Sequence, residues 1–185
     1  MIAVLLAAAL ACGASANQME LNECAGEARE RANAQELATY RAAMQRYHND
    51  VVLRESELRW LAARANACDF DTALVSGGSI EPMIESQCLA SSAQARIRDI
   101  GLFTGRPNPA GATASAPAVA EHDRIYGLLE NLVTPDQRTL LADAENAWIW
   151  YRDEACARAT NNCAIALTLT RTQELKDSWL ADKFW

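Results

Sequence analysis

A twelve-residue pattern occurs twice in this chain, and it restricts the fold more than any other feature. Glu57 to Cys68 reads E-L-R-W-L-A-A-R-A-N-A-C, and Glu145 to Cys156 reads E-N-A-W-I-W-Y-R-D-E-A-C. The shared pattern is E-x-x-W-[LI]-x-x-R-x-x-A-C. Agreement continues past it, because the next cysteine in each copy is followed by Arg at +8, an acid at +11 and a branched aliphatic at +12. These are Arg96, Asp99 and Ile100 after Cys88, and Arg171, Glu174 and Leu175 after Cys163. So many positions in register, 88 residues apart at the first cysteine, mark an internal repeat. The chain reads as two copies of one small module.

On an α-helix, Glu57, Trp60, Arg64 and Cys68 fall within a stripe roughly 80° wide, at ~100° per residue. Glu57 and Arg64 lie about 10 Å apart along the axis, at ~1.5 Å per residue, so each needs a partner on another helix. If Cys68 is bonded to Cys88 and the two helices run antiparallel, Trp60 lies level with Arg96, and Glu57 lies about one turn away, within ion-pair reach. Trp148, Arg171 and Glu145 repeat the relation, with Arg152 in the place of Arg64. The expected object is a stapled helical hairpin whose indole face receives a guanidinium. Reading Glu57 and Glu145 as a catalytic carboxylate pair is the sharper alternative. The plainer reading, charges that fix helix register, is preferred.

Half of the 185 residues are hydrophobic, with many Ala and few aromatics, which suits packed helices. The fold class expected is all-α, as two small disulfide-stapled helical bundles or hairpins in tandem. Modules this small have small cores, and cross-links help them. Net charge is −7, and two of the seventeen basic residues are Lys. That argues against nucleic acid and anionic membrane as partners and for a cationic one.

Residues 1–11 form an apolar run too short to span a bilayer and read as the core of an export signal, although a basic stretch ahead of it is missing. Cleavage after Ala11 leaves six cysteines; cleavage after Ala16, or lipid attachment to Cys12, leaves five. The even set is preferred, paired in sequence as Cys12–Cys24, Cys68–Cys88 and Cys156–Cys163. Zinc is the alternative for clustered cysteines, but the spacings C-x19-C and C-x6-C with no nearby His are poor for it, and no metal or cofactor is expected.

Along the chain, residues 19–47 have helical spacing, with Leu21, Cys24, Ala28, Leu37, Tyr40 and Met44 toward the core. Asn49 or Asp50 caps a second helix that runs through Trp60 to about Cys68. The segment Asp69 to Glu81, with Gly77 and Gly78, is a loop inside the Cys68–Cys88 bridge. Ser79 caps the next helix, which has Pro82 in its first turn and ends near Ile100. The expected organisation is a signal (1–11), a first domain (12–103), a Pro/Ala/Gly linker (104–120) and a second domain (121–185). In the second copy, Thr134-Pro135-Asp136-Gln137 is a capping box with Pro at N1. Trp179, Phe184 and Trp185 are expected to pack on their own bundle.

At these residues the sequence resembles the lysozyme inhibitor LprI-like domain family. The match lies in Cys12 with Gln18 to Cys24, in Trp60, Arg64 and Cys68, in Gly77 to Ile84, in Gln87 to Leu89 and in Arg96. The second copy matches over Ala147 to Cys156 and Arg171 to Leu175. The first copy departs by having Ala62-Ala63 where the family favours an aromatic before Arg. The second lacks the leading cysteine pair and the Gly-Gly loop, so it is a degenerate copy. The resemblance implies a helical protein, exported to the periplasm or cell surface, that inhibits lysozyme by binding it. A periplasmic interaction module with another partner is the alternative. An enzyme is the third choice: His48 and His122 are the only histidines, and no Ser-His-Asp or Cys-His order stands out. If lysozyme is the partner, the bridged loop is the candidate contact, through Asp69, Asp71, Gly77, Gly78, Ser79 and Glu81.

Overall fold

The computed structural model describes residues 17–108 and 113–178. The signal, Cys12 and the C-terminal aromatics Trp179, Phe184 and Trp185 lie outside the described residues. The described chain is all-helical, with six α-helices and one isolated bridge between Phe103 and Ala159.

Local chemistry explains where the helices begin and end. Helix α1 (Gln18–Arg46) starts at a capping box, in which the Asn17 side chain accepts from the Met19 and Glu20 amides and Glu20 accepts from the Asn17 amide. It stops where His48 and Asn49 take positive φ, 54° and 59°. Asp50 then caps α2 (Val51–Ala73) by accepting from the Val52 and Leu53 amides. Helix α3 (Glu81–Ile100) has Pro82 in its first turn but no side-chain cap, so Ser79 does not take the predicted capping role. Helix α4 (Ala116–Glu130) begins inside the segment read as linker. The Thr134/Gln137 capping box opens α5 (Pro135–Cys156), and α6 (Cys163–Asp177) follows a tight bridged turn.

Within each copy the first helix packs on the third, α1 on α3 and α4 on α6. The middle helices pack across the copies, α2 along α5, and this is the most extensive helix contact in the molecule. They run antiparallel: Asp50 meets Arg158 (2.6 Å), the Arg59 guanidinium lies 5.5 Å from the Trp150 ring, and the Ala73 carbonyl accepts from Gln137 Nε2. Trp60 and Trp148 fall near the middle of this pairing and share a core with Ala63, Ala93, Tyr151, Ala155 and Ala164. Small side chains there let the helices approach closely. The tandem repeats therefore form one body. Residues 102–108 are pinned to the second copy, with Thr104 N–H on the Arg158 carbonyl (2.8 Å), Thr160 N–H on the Leu102 carbonyl (3.0 Å) and Asn108 N–H on the Ala157 carbonyl (3.0 Å).

Cys68–Cys88 joins α2 to α3 and Cys156–Cys163 joins α5 to α6. Cys24 is also disulfide-bonded, and its predicted partner Cys12 lies outside the described residues. Loop-closure entropy gives the first bridge about 3 kcal/mol and the second about 2 kcal/mol, because they enclose separations of 20 and 7 residues. Replacing each pair by serines should reproduce that order in urea denaturation midpoints. A larger loss from the Cys156–Cys163 pair would contradict it.

Candidate functional site

In the first copy the motif side chains converge on Arg96, which is 1% exposed. Its Nε donates to Glu57 Oε2 (3.0 Å), its Nη2 to Ser56 Oγ (3.0 Å) and its Nη1 to the Tyr151 hydroxyl (3.2 Å). Tyr151 belongs to the second copy and passes its own proton donor to Asp99 Oδ2 (2.5 Å). Burial and the Asp99 charge push the Tyr151 phenol well above its ordinary range, so it stays a donor. The Trp60 ring lies 4.9 Å from the Arg64 guanidinium and 5.9 Å from that of Arg96. Arg64 also donates to Asn33 of α1 (3.1 Å). Glu36, on α1, completes the cluster: burial and the Glu57 charge raise its carboxyl to about 7.

The second copy builds the cluster differently. Arg171 donates to Glu145 (3.2 Å) and Glu174 (3.4 Å) and is 4% exposed, which repeats the relation of Arg96 to Glu57. The predicted Trp148–Arg171 contact is not among the described ring contacts. The Trp148 indole is instead stacked on His122 (5.2 Å between centroids, 18° between planes) and lies 5.1 Å from the Arg152 guanidinium. The physical reason is that α4 brings an imidazole over the ring, leaving Arg171 to its two carboxylates. His122 Nε2 approaches Glu145 Oε1 to 3.0 Å, as an ion pair rather than a well-aligned hydrogen bond. Burial lowers His122, but the Glu145 contact and charge outweigh it, and the ring ends above its ordinary value.

Sequence reasoning missed Glu36 and His122 as partners of the motif. The signal was present: they stand 21 and 23 residues ahead of Glu57 and Glu145, each on the first helix of its copy.

The bridged loop is shorter than its sequence reading. Helix α2 continues to Ala73, so Asp69 is an exposed helical residue and Asp71 is not a loop residue at all. Asp71 is turned inward, where burial raises its carboxyl to about 7 and nearby Arg171 pulls part of the way back. Phe70 sets this extra turn by packing with Ile125, Leu129, Leu141 and Leu175 of the second copy. What protrudes is residues 74–80, with Ser76, Gly77, Gly78 and Ser79 exposed. Gly77 has φ +79°, a conformation side chains disfavour, and its amide donates to Glu81 Oε2 (2.7 Å). Asn22 Nδ2 holds the Ser79 carbonyl (3.1 Å), and Gln137 holds the Ala73 carbonyl at the loop's base (3.1 Å). The loop is thus braced by α1, α3 and α5.

Comparison with known proteins finds the lysozyme inhibitor LprI family matching residues 11–100 and 111–175, one segment for each copy. The chain belongs to the LprI family. An uncharacterised protein of Rhizobium meliloti (strain 1021) is 30% identical over 104 residues, spanning 48% of this chain and 75% of that protein. A crystal structure of an uncharacterised protein from Burkholderia thailandensis is similar in fold, with a TM-score of 0.68 over 94% of both chains at 20% identity.

In this LprI chain the residues fall into two groups. Glu57, Trp60, Arg64, Arg96, Glu145, Trp148, Arg152 and Arg171 are gathered in and around the interface between copies, with each motif glutamate held by a buried arginine. Such carboxylates are occupied in ion pairs. The loop residues Gly77, Gly78, Ser79 and Glu81 stand together at one end, while Asp69 and Asp71 have separated from them. Among the described residues no group of His, Cys, Asp and Glu is arranged to hold a metal ion, and no helix is long and apolar enough to cross a membrane.

Proposed function

We propose that this chain is an exported protein that binds and inhibits a lysozyme through protein–protein contact rather than catalysis. The family match over both copies carries the reading. Three features support it. Disulfides in both copies favour an oxidising compartment, the periplasm or cell surface. The exposed loop 74–80 is a protruding segment held at several points, which suits insertion into a concave cleft at low ordering cost. Exposed acids flank the loop: Asp69 and Glu85 lie in the helices on either side of it, and Glu20 and Glu23 lie next to Asn22, which holds the Ser79 carbonyl. They would attract a cationic glycosidase and raise the association rate more than the affinity.

The test is a turbidity assay of lysozyme on peptidoglycan with the parent chain and a variant whose residues 74–80 are replaced by a short Gly-Ser turn. Inhibition should weaken by about tenfold or more, as for loss of a central contact. Full inhibition by a folded variant removes the loop from the mechanism. Failure of the parent chain to inhibit or to capture lysozyme at all leaves the family fold with a different partner.

A further inference from the structure

Trp150 and Leu58 are 62% and 56% exposed, so neither serves the core. A lone exposed leucine is ordinary, but an indole left in water keeps a large apolar surface unburied. The Arg59 guanidinium lies 5.5 Å from the Trp150 ring and holds it against α2. The antiparallel register that joins Asp50 to Arg158, Arg59 to Trp150 and the Ala73 carbonyl to Gln137 also sets Ala62 opposite Ala147 and Glu55 opposite Glu154. Steps of three and four residues put 55, 58, 62, 66 and 69 on one stripe of α2, and 143, 147, 150 and 154 on one stripe of α5. Trp150 stands where the first copy has Ala62, six positions before the bridged cysteine. On this joint outer face a large ring therefore projects beside a shallow patch of alanines.

The charges at its edge decide what can cover it. Glu55, Asp69, Asp143 and Glu154 lie on the same stripes, and none of the four side chains has an ion-pair partner among the described residues. Arg59 balances at most one of them. A second copy of the chain would bring like charges together, whereas a cationic protein neutralises them. Size points the same way. Residues 74–80 alone are far fewer than the ~20–30 residues that a stable interface uses on each side, so a partner of that loop needs more surface. Helix α2 carries its stripe directly to the loop, with Asp69 at the near end. An aromatic and an arginine at the centre with charges at the rim is the usual anatomy of a protein interface.

We propose that the cationic lysozyme that meets loop 74–80 also rests on the outer face of α2 and α5, with Trp150 as its central anchor. This second contact rests on the proposed lysozyme binding and extends it from the loop to the body of the molecule.

Lysozyme binding to the immobilised full chain, and inhibition of lysozyme on peptidoglycan, are measured for the parent, Trp150→Ser and Ala62→Arg. Both positions are exposed, and the second variant serves if the first fails to fold. Each should bind about tenfold or more weakly, while Trp150→Phe keeps most of the affinity. Asp143→Lys should slow association and leave dissociation nearly unchanged. Unchanged affinity in the folded variants of a parent that binds and inhibits removes this face and leaves the loop contact standing. A parent that binds no lysozyme overturns both. A dimer of the parent in sedimentation that is lost in Trp150→Ser gives the face to a second copy and overturns the proposal as well.

Discussion

Replacing Arg96 by alanine is expected to lower the unfolding free energy by about 3–5 kcal/mol, the usual loss when one member of a buried ion pair is removed. The guanidinium is 1% exposed and bonds Glu57, Ser56 and Tyr151 at once. Without it the Glu57 carboxylate stays buried beside Glu36 with no cation bonded to it and Arg64 alone to balance the pair, and the Trp60 ring loses one of its two guanidinium neighbours. Because Tyr151 comes from the second copy, the loss should also weaken the contact between copies. Arg96→Met keeps much of the volume and should still cost most of this. Adding Glu57→Gln to Arg96→Met should recover part of it, since the unpaired charge is then gone. Urea denaturation of the three variants measures the terms, and a loss below about 1 kcal/mol for Arg96→Ala would show the cluster to be dispensable.

Much of this cluster is legible in the sequence, and the reasons separate what is legible from what is not. The spacing around Cys68 and Cys88 puts Glu57 one turn from Arg96, and the two are 3.0 Å apart, because a bridge and two antiparallel helices leave one register. Helical periodicity cannot say what lies opposite a face. It places Leu37 in the core, yet Leu37 is 42% exposed while neighbouring Glu36 is buried, drawn in by Arg64 and Arg96. It ends α2 near Cys68, where Asp69, Asp71 and the glycines look like a loop. Phe70 extends the helix instead, through partners more than fifty residues away that no local pattern reveals. The packing of α2 on α5 is hidden for a related reason: a repeat states that two faces are alike, not that they meet. The second copy's use of His122 over Trp148 likewise depends on where α4 lies.

Stability should fall by about 2–3 kcal/mol between pH 5 and pH 8, contrary to the usual broad plateau of a folded domain. Two carboxyls drive this. Glu36 is raised from 4.5 to about 7, first by burial and then by the Glu57 charge, and Asp71 is raised from 3.8 to about 7 by burial. A group whose folded value lies above its unfolded one holds an extra proton in the folded state. Its stabilisation is complete below the unfolded value and is lost as pH rises through the folded value, here from about 4 to about 7. Each unit is worth about 1.4 kcal/mol, and partial solvent access to both side chains reduces the combined effect to roughly half of its full size. His122 adds to the same slope, because its raised ring loses its proton, and with it the Glu145 ion pair, as pH climbs. Glu145 works in the opposite direction, since its lowered carboxyl costs stability only in stronger acid, below the window measured. Glu36→Gln and Asp71→Asn fix both groups in their neutral form. The double variant should therefore gain on the parent steadily from pH 5 to pH 8, with only the His122 slope remaining in its own profile. Denaturation curves at pH 5, 6, 7 and 8 decide the matter: a flat profile in the parent, or the same slope in the double variant, would remove these carboxyls from the account.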